Sequence, residues 1–224
     1  MTKRISLILI SLFALLFSIH AQDKPIKVAC VGNSITYGVA STNRDSLSYV
    51  ALLSQLLGDR YEVQNFGVSG ATACRNTYKP YDKTPRFEPA KEFQPDIVTI
   101  KLGTNDSQPR VWNTDDFAKN FKNDVIYLCE EFEKLESKPQ IYLCLPIPIV
   151  PSERWQHQPD VLENEIIPIL KEIAQEKGYA IIDLHTPLKG RLDCYPSDDM
   201  LHPSNRGHLV LAAEMYKALI SYNK

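Results

Sequence analysis

Ser34 stands in the stretch VACVGNSITYG, residues 28–38, where a run of small and β-branched residues stops at Gly32. A serine in that place is commonly a helix cap or turn residue. Its company suggests more. A serine nucleophile needs a base for its proton, a group to orient the base, and donors for the oxyanion that forms as a carbonyl is attacked. His202 lies in DMLHP, residues 199–203. Asp199, three residues before it, can reach the ring within one turn of chain, accept the Nδ1 hydrogen and leave Nε2 free for the serine. Asp198 offers a poorer spacing. Three other histidines follow residue 21. His157 lies in a polar loop with no acid at a telling distance. His185 is a loop residue that could pack near the site. His208 falls inside a predicted helix and is expected to be structural.

Two segments could supply oxyanion donors. Gly67 lies in NFGVSGAT, and Asn105 in the run Gly103-Thr104-Asn105-Asp106. Glycine lets a backbone N–H approach a substrate closely, and an asparagine amide donates without changing charge state. One such donor is worth roughly 3 kcal/mol in the transition state. Taken singly, each of these residues reads as an ordinary turn glycine or Asx-turn. Taken together with Ser34 and His202, they form a set.

The elements needed to position that set can be read along the chain. Apolar strand-like runs occur at Ile26–Val31, Tyr61–Phe66, Asp96–Leu102, Gln140–Leu145 and Ala180–Leu184. Helical spacing covers Leu47–Leu57, Phe117–Leu135 with Thr114 as a cap, Val161–Glu176, and Gly207–Ile220 with Ser204 as a cap. Strands alternating with helices imply a parallel sheet covered on both faces, an α/β sandwich three layers deep with about five parallel strands. In such sheets the site lies beyond the carboxyl ends of the strands, at the switch in strand order. Ser34, Gly67 and Asn105 each follow a strand end. Residues 68–95 are rich in proline and have no clear period, so they read as a long loop.

GNSIT, NFGVSG, GTND and DxxH, in that order, resemble the motifs of the SGNH (GDSL-type) hydrolases. The resemblance runs from about Ile26 to the last helix. It implies a flavodoxin-like fold and ester hydrolysis. Ser34 would be the nucleophile, His202 the base and Asp199 its orienter. The Ser34 N–H, the Gly67 N–H and the Asn105 side chain would form the oxyanion hole. The family's first motif often reads Gly-Asp-Ser, whereas this chain has Gly32-Asn33-Ser34. Asparagine keeps the shape and loses a charge, and activity is expected to survive. The absence of G-x-S-x-G sets the α/β-hydrolase elbow aside.

Residues 1–21 read as a secretory signal peptide: Lys3 and Arg4, an apolar stretch from Ile5 to Phe17, and Ala21 at the cut. That stretch is short for a membrane span, and Gln22, not cysteine, follows the cut. Residues 22–224 are then one domain, secreted or periplasmic. The net charge is −2 with the leader and more acidic without it. That balance gives no footprint for nucleic acid or for stable membrane association. The five cysteines match no zinc spacing. Cys30, Cys129 and Cys144 read as buried small hydrophobes, while Cys74 and Cys194 lie in loop-like sequence, where export would permit a disulfide. The chemistry requires no metal or cofactor. No G-x-G-x-x-G follows the first strand, and no P-loop is present.

The ester is less legible. Arg75, Tyr78, Tyr81, Trp112 and Trp155 stand in loops among polar neighbours, a mixture that suits sugar rings and an exposed surface alike. The sequence is similar to the family's carbohydrate O-acetylesterases, including the sialate type. Glycan esters are therefore the expected substrates. A lysophospholipase or thioesterase is the alternative within the family. A glycan-binding module without turnover is the alternative outside enzymology.

Overall fold

The computed structural model describes residues 24–113 and 117–222. The signal peptide and the Thr114 cap expected from sequence lie outside the described residues. Five strands, β1 (Ile26–Gly32), β2 (Tyr61–Gly67), β3 (Ile97–Lys101), β4 (Gln140–Leu145) and β5 (Ala180–Asp183), form one all-parallel sheet in the order β2-β1-β3-β4-β5. Each strand is short; the central strands β1, β3 and β4 are almost wholly buried, as a sheet covered on both faces requires, and the edge strands β2 and β5 are partly exposed.

Alternation along the strands sorts side chains into two cores. Ala29, Val31, Val98, Ile100, Ile141, Leu143 and Leu145 face one core; Val28, Cys30, Ile97, Tyr142 and Cys144 face the other. The first is covered by α3 (Phe87–Glu92), α4 (Phe117–Glu133) and α5 (Ile167–Lys177), through Phe87, Phe121, Leu128, Phe132 and Leu170. The second is covered by α2 (Tyr49–Leu57) and α6 (Asn205–Leu219), through Tyr49, Leu53, Leu211 and Met215. This is the expected three-layer sandwich. Strand order reverses at β1, which lies between β2 and β3, and the one-turn helix α1 (Ser34–Tyr37) starts just past its carboxyl end.

Three departures from the sequence reading have physical causes. Residues 68–95 contain α3 and a 3₁₀ turn at Tyr81–Lys83. Pro89 is tolerated in α3 because first-turn N–H groups have no intrahelical partner. The stretch expected as one helix from Val161 is broken by a π-helical turn, Leu162–Ile166, before α5. Cys74 and Cys194 are both buried, on opposite sides of the sheet, and all five thiols are free. The sheet separates the two residues, so the expected disulfide does not form.

Candidate active site

The turn that carries Ser34 follows from local capping. Asn33 caps α1, its Oδ1 accepting the Ile35 N–H at 3.0 Å, and the Gly38 N–H closes the other end on the Ser34 carbonyl at 3.0 Å. The asparagine thus supplies the acceptor that this turn needs, while its Nδ2 is buried with no hydrogen-bond partner among the described residues. Gly32 is required by space. A Cβ there would lie 2.1 Å from Thr36 Oγ1 and 2.8 Å from the Lys101 carbonyl oxygen. The chain can therefore turn sharply off β1 and leave Ser34 at the first helical position.

Asp199 and His202 come from the loop between β5 and α6. Met200 between them adopts φ +61°, a left-handed conformation rare for a side chain of its size. This turn folds the carboxylate onto its own chain. Asp199 Oδ1 accepts the Leu201 N–H at 3.1 Å and the His202 N–H at 2.9 Å. The carboxylate oxygens lie 2.9 and 3.0 Å from His202 Nδ1. His202 Nε2 lies 2.9 Å from Ser34 Oγ. Ser34, Asp199 and His202 are all buried.

The electrostatics suit a neutral imidazole at rest. Burial pushes the His202 ring below its ordinary value against the opposing pull of Asp199; the Lys101 and Arg154 charges push the same way as burial. Burial would raise the Asp199 carboxyl, but the N–H donors of its turn and the neighbouring His202 outweigh it and hold the group low. Lys101 is wholly buried, its amine pushed down to about 7 by burial.

The sequence offered Trp155 only as one of several loop residues that suit a sugar ring or an exposed surface and set His157 aside; both line the cleft. The irregular segment after β4 brings them over the triad. Trp155 Nε1 donates to the Asp199 carbonyl at 2.6 Å and to Asp199 Oδ1 at 3.2 Å, and its ring meets His202 edge-on at 5.4 Å. His157 Nε2 lies 3.2 Å from Asn105 Oδ1 and 3.1 Å from Gln108 Nε2. Its partners are amides, so a search for an acid beside each histidine passes over it. Burial, with the His202 and Arg110 charges, pushes its ring down to about 4. With its oxygen turned to His157, the Asn105 amide directs Nδ2 to the Ala71 carbonyl at 2.9 Å and keeps a second hydrogen for the cleft.

The cleft has a volume of about 550 Å³ and is lined by Ser34, Gly70, Asn105, His157 and His202, among others. Gly67 is not among them. It borders a separate cleft of about 400 Å³ with Tyr37 and Asn65. The Gly67 N–H already donates to Asn65 Oδ1 at 2.9 Å, and a Cβ there would lie 2.2 Å from the Tyr37 nitrogen. Gly67 thus packs the end of β2 against α1. Three residues further on, Gly70 reaches the catalytic cleft, and its N–H has no hydrogen-bond partner among the described residues. The structure therefore brings Ser34, Asn105, Asp199 and His202 together at one cleft, which Gly70 lines and Gly67 does not. His185 stands elsewhere, bonded through Nδ1 to the Pro146 carbonyl at 3.0 Å. His208 is structural, accepting the Tyr49 N–H at Nδ1 (3.2 Å) and donating from Nε2 to the Val39 carbonyl (3.2 Å).

Comparison with known proteins shows the family and the fold. The family model described as GDSL-like Lipase/Acylhydrolase family matches residues 30–210. An acetylxylan esterase of Xylanibacter ruminicola is 36% identical over 208 residues; the match covers 85% of this chain and 42% of that protein. The chain thus spans less than half the length of the curated relative it matches. Among solved structures, an acetyl xylan esterase, AlAXEase, superposes with a TM-score of 0.67 at 24% identity, over 87% of this chain and 100% of the other. A carbohydrate acetylesterase family member from Sinorhizobium meliloti superposes at 0.70 with 17% identity, over 87% and 97%. At these identities the structural likenesses speak for the fold.

Proposed function

The chain belongs to the GDSL-like lipase/acylhydrolase family, and on that premise we propose that it is a secreted serine esterase that removes acetyl groups from carbohydrates. The observation that carries this reading is the relay from Asp199 through His202 to Ser34 Oγ, with 2.9 Å contacts on both sides of the ring, opening on a cleft that fits a small ester. His202, neutral, takes the Ser34 proton as Oγ attacks the ester carbonyl. Charge collects on the carbonyl oxygen, within reach of the Ser34 N–H, the Gly70 N–H and the Asn105 amide. The tetrahedral intermediate collapses, and the sugar hydroxyl departs with the proton from His202. A water then gives its proton to His202 and attacks the acyl-serine; the second tetrahedral intermediate releases acetate as Ser34 Oγ takes the proton back from His202. Asp199 stabilises the imidazolium in both halves.

The lining favours a short acyl group. Val39 and Leu201 are its aliphatic members, and most of the rest are polar or aromatic. Acetate needs little apolar area, whereas each octanoyl methylene that stays in water forgoes about 0.8 kcal/mol. The acetylxylan esterase relative supports a carbohydrate as the alcohol part. The leader at residues 1–21 supports export, with residues 22–224 as the working domain.

The test is release of p-nitrophenol from acetyl and octanoyl esters by the purified protein and by Ser34→Ala. Acetate should be preferred, and the substitution should lower kcat at least about 10⁴-fold. A preference for octanoate would move the reading to lipid or thioester substrates. No turnover by well-folded protein would leave a glycan-binding module in its place.

A further inference from the structure

An acetyl ester carries no charge, yet the cleft that would hold it does. Arg110 and Arg154 are the permanently charged side chains in its lining, which includes no carboxylate. The protein as a whole is acidic, with a net charge of −2. Neither arginine forms an ion pair among the described residues; Arg60 and Arg86 form none either but stand outside this cleft, whereas Arg44, Arg75, Arg191 and Arg206 are paired. An unpaired cation in a catalytic cleft focuses the field on whatever enters.

Both guanidinium groups are pre-ordered with donors to spare. Arg110 lies 3.7 Å over the Tyr78 ring and donates through Nε to Gln108 Oε1 at 2.9 Å. Its two terminal nitrogens have no partner among the described residues. Arg154 lies 5.1 Å over the Trp155 ring and spends Nη1 on the Asp198 carbonyl at 2.7 Å. Stacking on an aromatic ring leaves the edge of the guanidinium free, and that edge is the fork that matches a carboxylate. Their fields reach the catalytic groups as well, since Arg110 pushes the His157 ring down and Arg154 the His202 ring.

We propose that the natural substrate is an acetylated saccharide that also bears a carboxylate, which Arg110 and Arg154 bind at the mouth of the cleft. This rests on the esterase reading and adds to it the chemical class of the sugar. A neutral acetylated glycan could accept hydrogen bonds from these groups but would make no use of their charge. A uronate-type unit beside the acetylated residue would be drawn in and held with its ester over Ser34.

The experiment pairs an acetylated, uronate-bearing oligosaccharide with the same compound after its carboxyl has been reduced to a primary alcohol. The readout is the ratio of kcat/KM on the two substrates, taken within each variant so that any loss common to both cancels. The wild-type protein should favour the acidic compound about tenfold at low salt, mainly through KM, and less at about 0.5 M salt. Arg110→Gln and Arg154→Gln should each lower the ratio, and the double variant should bring it near one. Arg110→Lys, which keeps the charge, should retain part of it. A wild-type ratio of one, or a preference that survives in the double variant, would overturn the proposal. p-Nitrophenyl acetate separates the two failures. No hydrolysis of it by the wild-type protein would overturn the esterase reading and this one with it, whereas turnover with a ratio of one would overturn the acidic-sugar assignment alone.

Discussion

Trp155 holds the base from behind, and removing its N–H should slow the reaction without emptying the cleft. In Trp155→Phe the ring that meets His202 edge-on keeps most of its contact, but the donor to Asp199 is gone. Asp199 Oδ1 then keeps the two backbone N–H groups of its own turn and the imidazole, and the Asp199 carbonyl oxygen loses its 2.6 Å partner. A hydrogen bond to a charged group contributes about 1.5–3 kcal/mol, and an orphaned buried acceptor costs a similar amount. The indole N–H is shared between two oxygens and lies farther from the carboxylate. About 1.4 kcal/mol of catalytic loss is therefore expected, or about tenfold in kcat. A carboxylate with one donor fewer is more basic and attracts the imidazolium more strongly. The acid limb of kcat/KM, set by His202, should consequently move to higher pH. The assay is p-nitrophenyl acetate hydrolysis across pH 4–8, in which KM reports little of Trp155 because the substrate carries no sugar. An unchanged kcat with an unmoved acid limb would refute the positioning argument.

Other outcomes follow from the same geometry. His208 is neutral in the fold, pushed down to about 4 mainly by burial, against about 6.5 in an unfolded chain. The unfolded state therefore binds the extra proton first, and stability is lost as pH falls from about 6.5 towards 4. Between pH 7 and 5 this one ring should cost about 2 kcal/mol, read as a lower denaturant midpoint that His208→Gln makes less steep. Asn33→Ala removes the cap of α1 and should cost about 1 kcal/mol, measured by thermal melting, with kcat falling further than stability because Ser34 sits on that cap. Gly67→Ala drives a Cβ into the Tyr37 backbone and should destabilise by about 3 kcal/mol; a stable, inactive protein would instead return Gly67 to the oxyanion site. Thiol titration of the unfolded chain without reductant should find all five cysteines; three would restore the Cys74–Cys194 disulfide.

The sheet was legible because its central strands are buried on both faces and read as short apolar runs, while the edge strand β2 alternates, and each is followed by a turn or helix start. The pairing of Asp199 with His202 was legible for a similar reason, since three residues is the reach of one turn. What was hidden depended on tertiary contact. The π-helical turn at Leu162–Ile166 continues an apolar spacing that a regular helix would share. Its last residue, Ile166, packs on Gly103, where a Cβ would lie 2.9 Å from Ile166 Cγ2. The choice between Gly67 and Gly70 is not local either. Both stand in NFGVSG, and what separates them is that the Asn65 side chain has taken one N–H and left the other free.

The division of labour within the cleft follows from the topology. Ser34 and Asn105 come from the ends of adjacent central strands, β1 and β3, where the switch in strand order opens a crevice. Asp199 and His202 arrive on the lead-in to α6, whose inner face is anchored in the core through Leu211 and Met215. The reacting groups are therefore buried and held by packed elements, as precise alignment requires. Trp155, His157 and Arg154 come instead from the irregular segment after β4, which touches the triad from above but carries no strand or core helix of its own. A change there can alter what the cleft holds while Ser34, His202 and Asp199 stay in register. Trp155 is the exception that links the two parts. Its indole N–H joins the recognition segment to the Asp199 carboxylate, so a saccharide that displaces this segment would also disturb the base. For that reason the enzyme should respond to sugar binding in kcat as well as in KM, and an acetylated oligosaccharide should show a higher kcat than its free acetylated monosaccharide if the segment must be pressed into place.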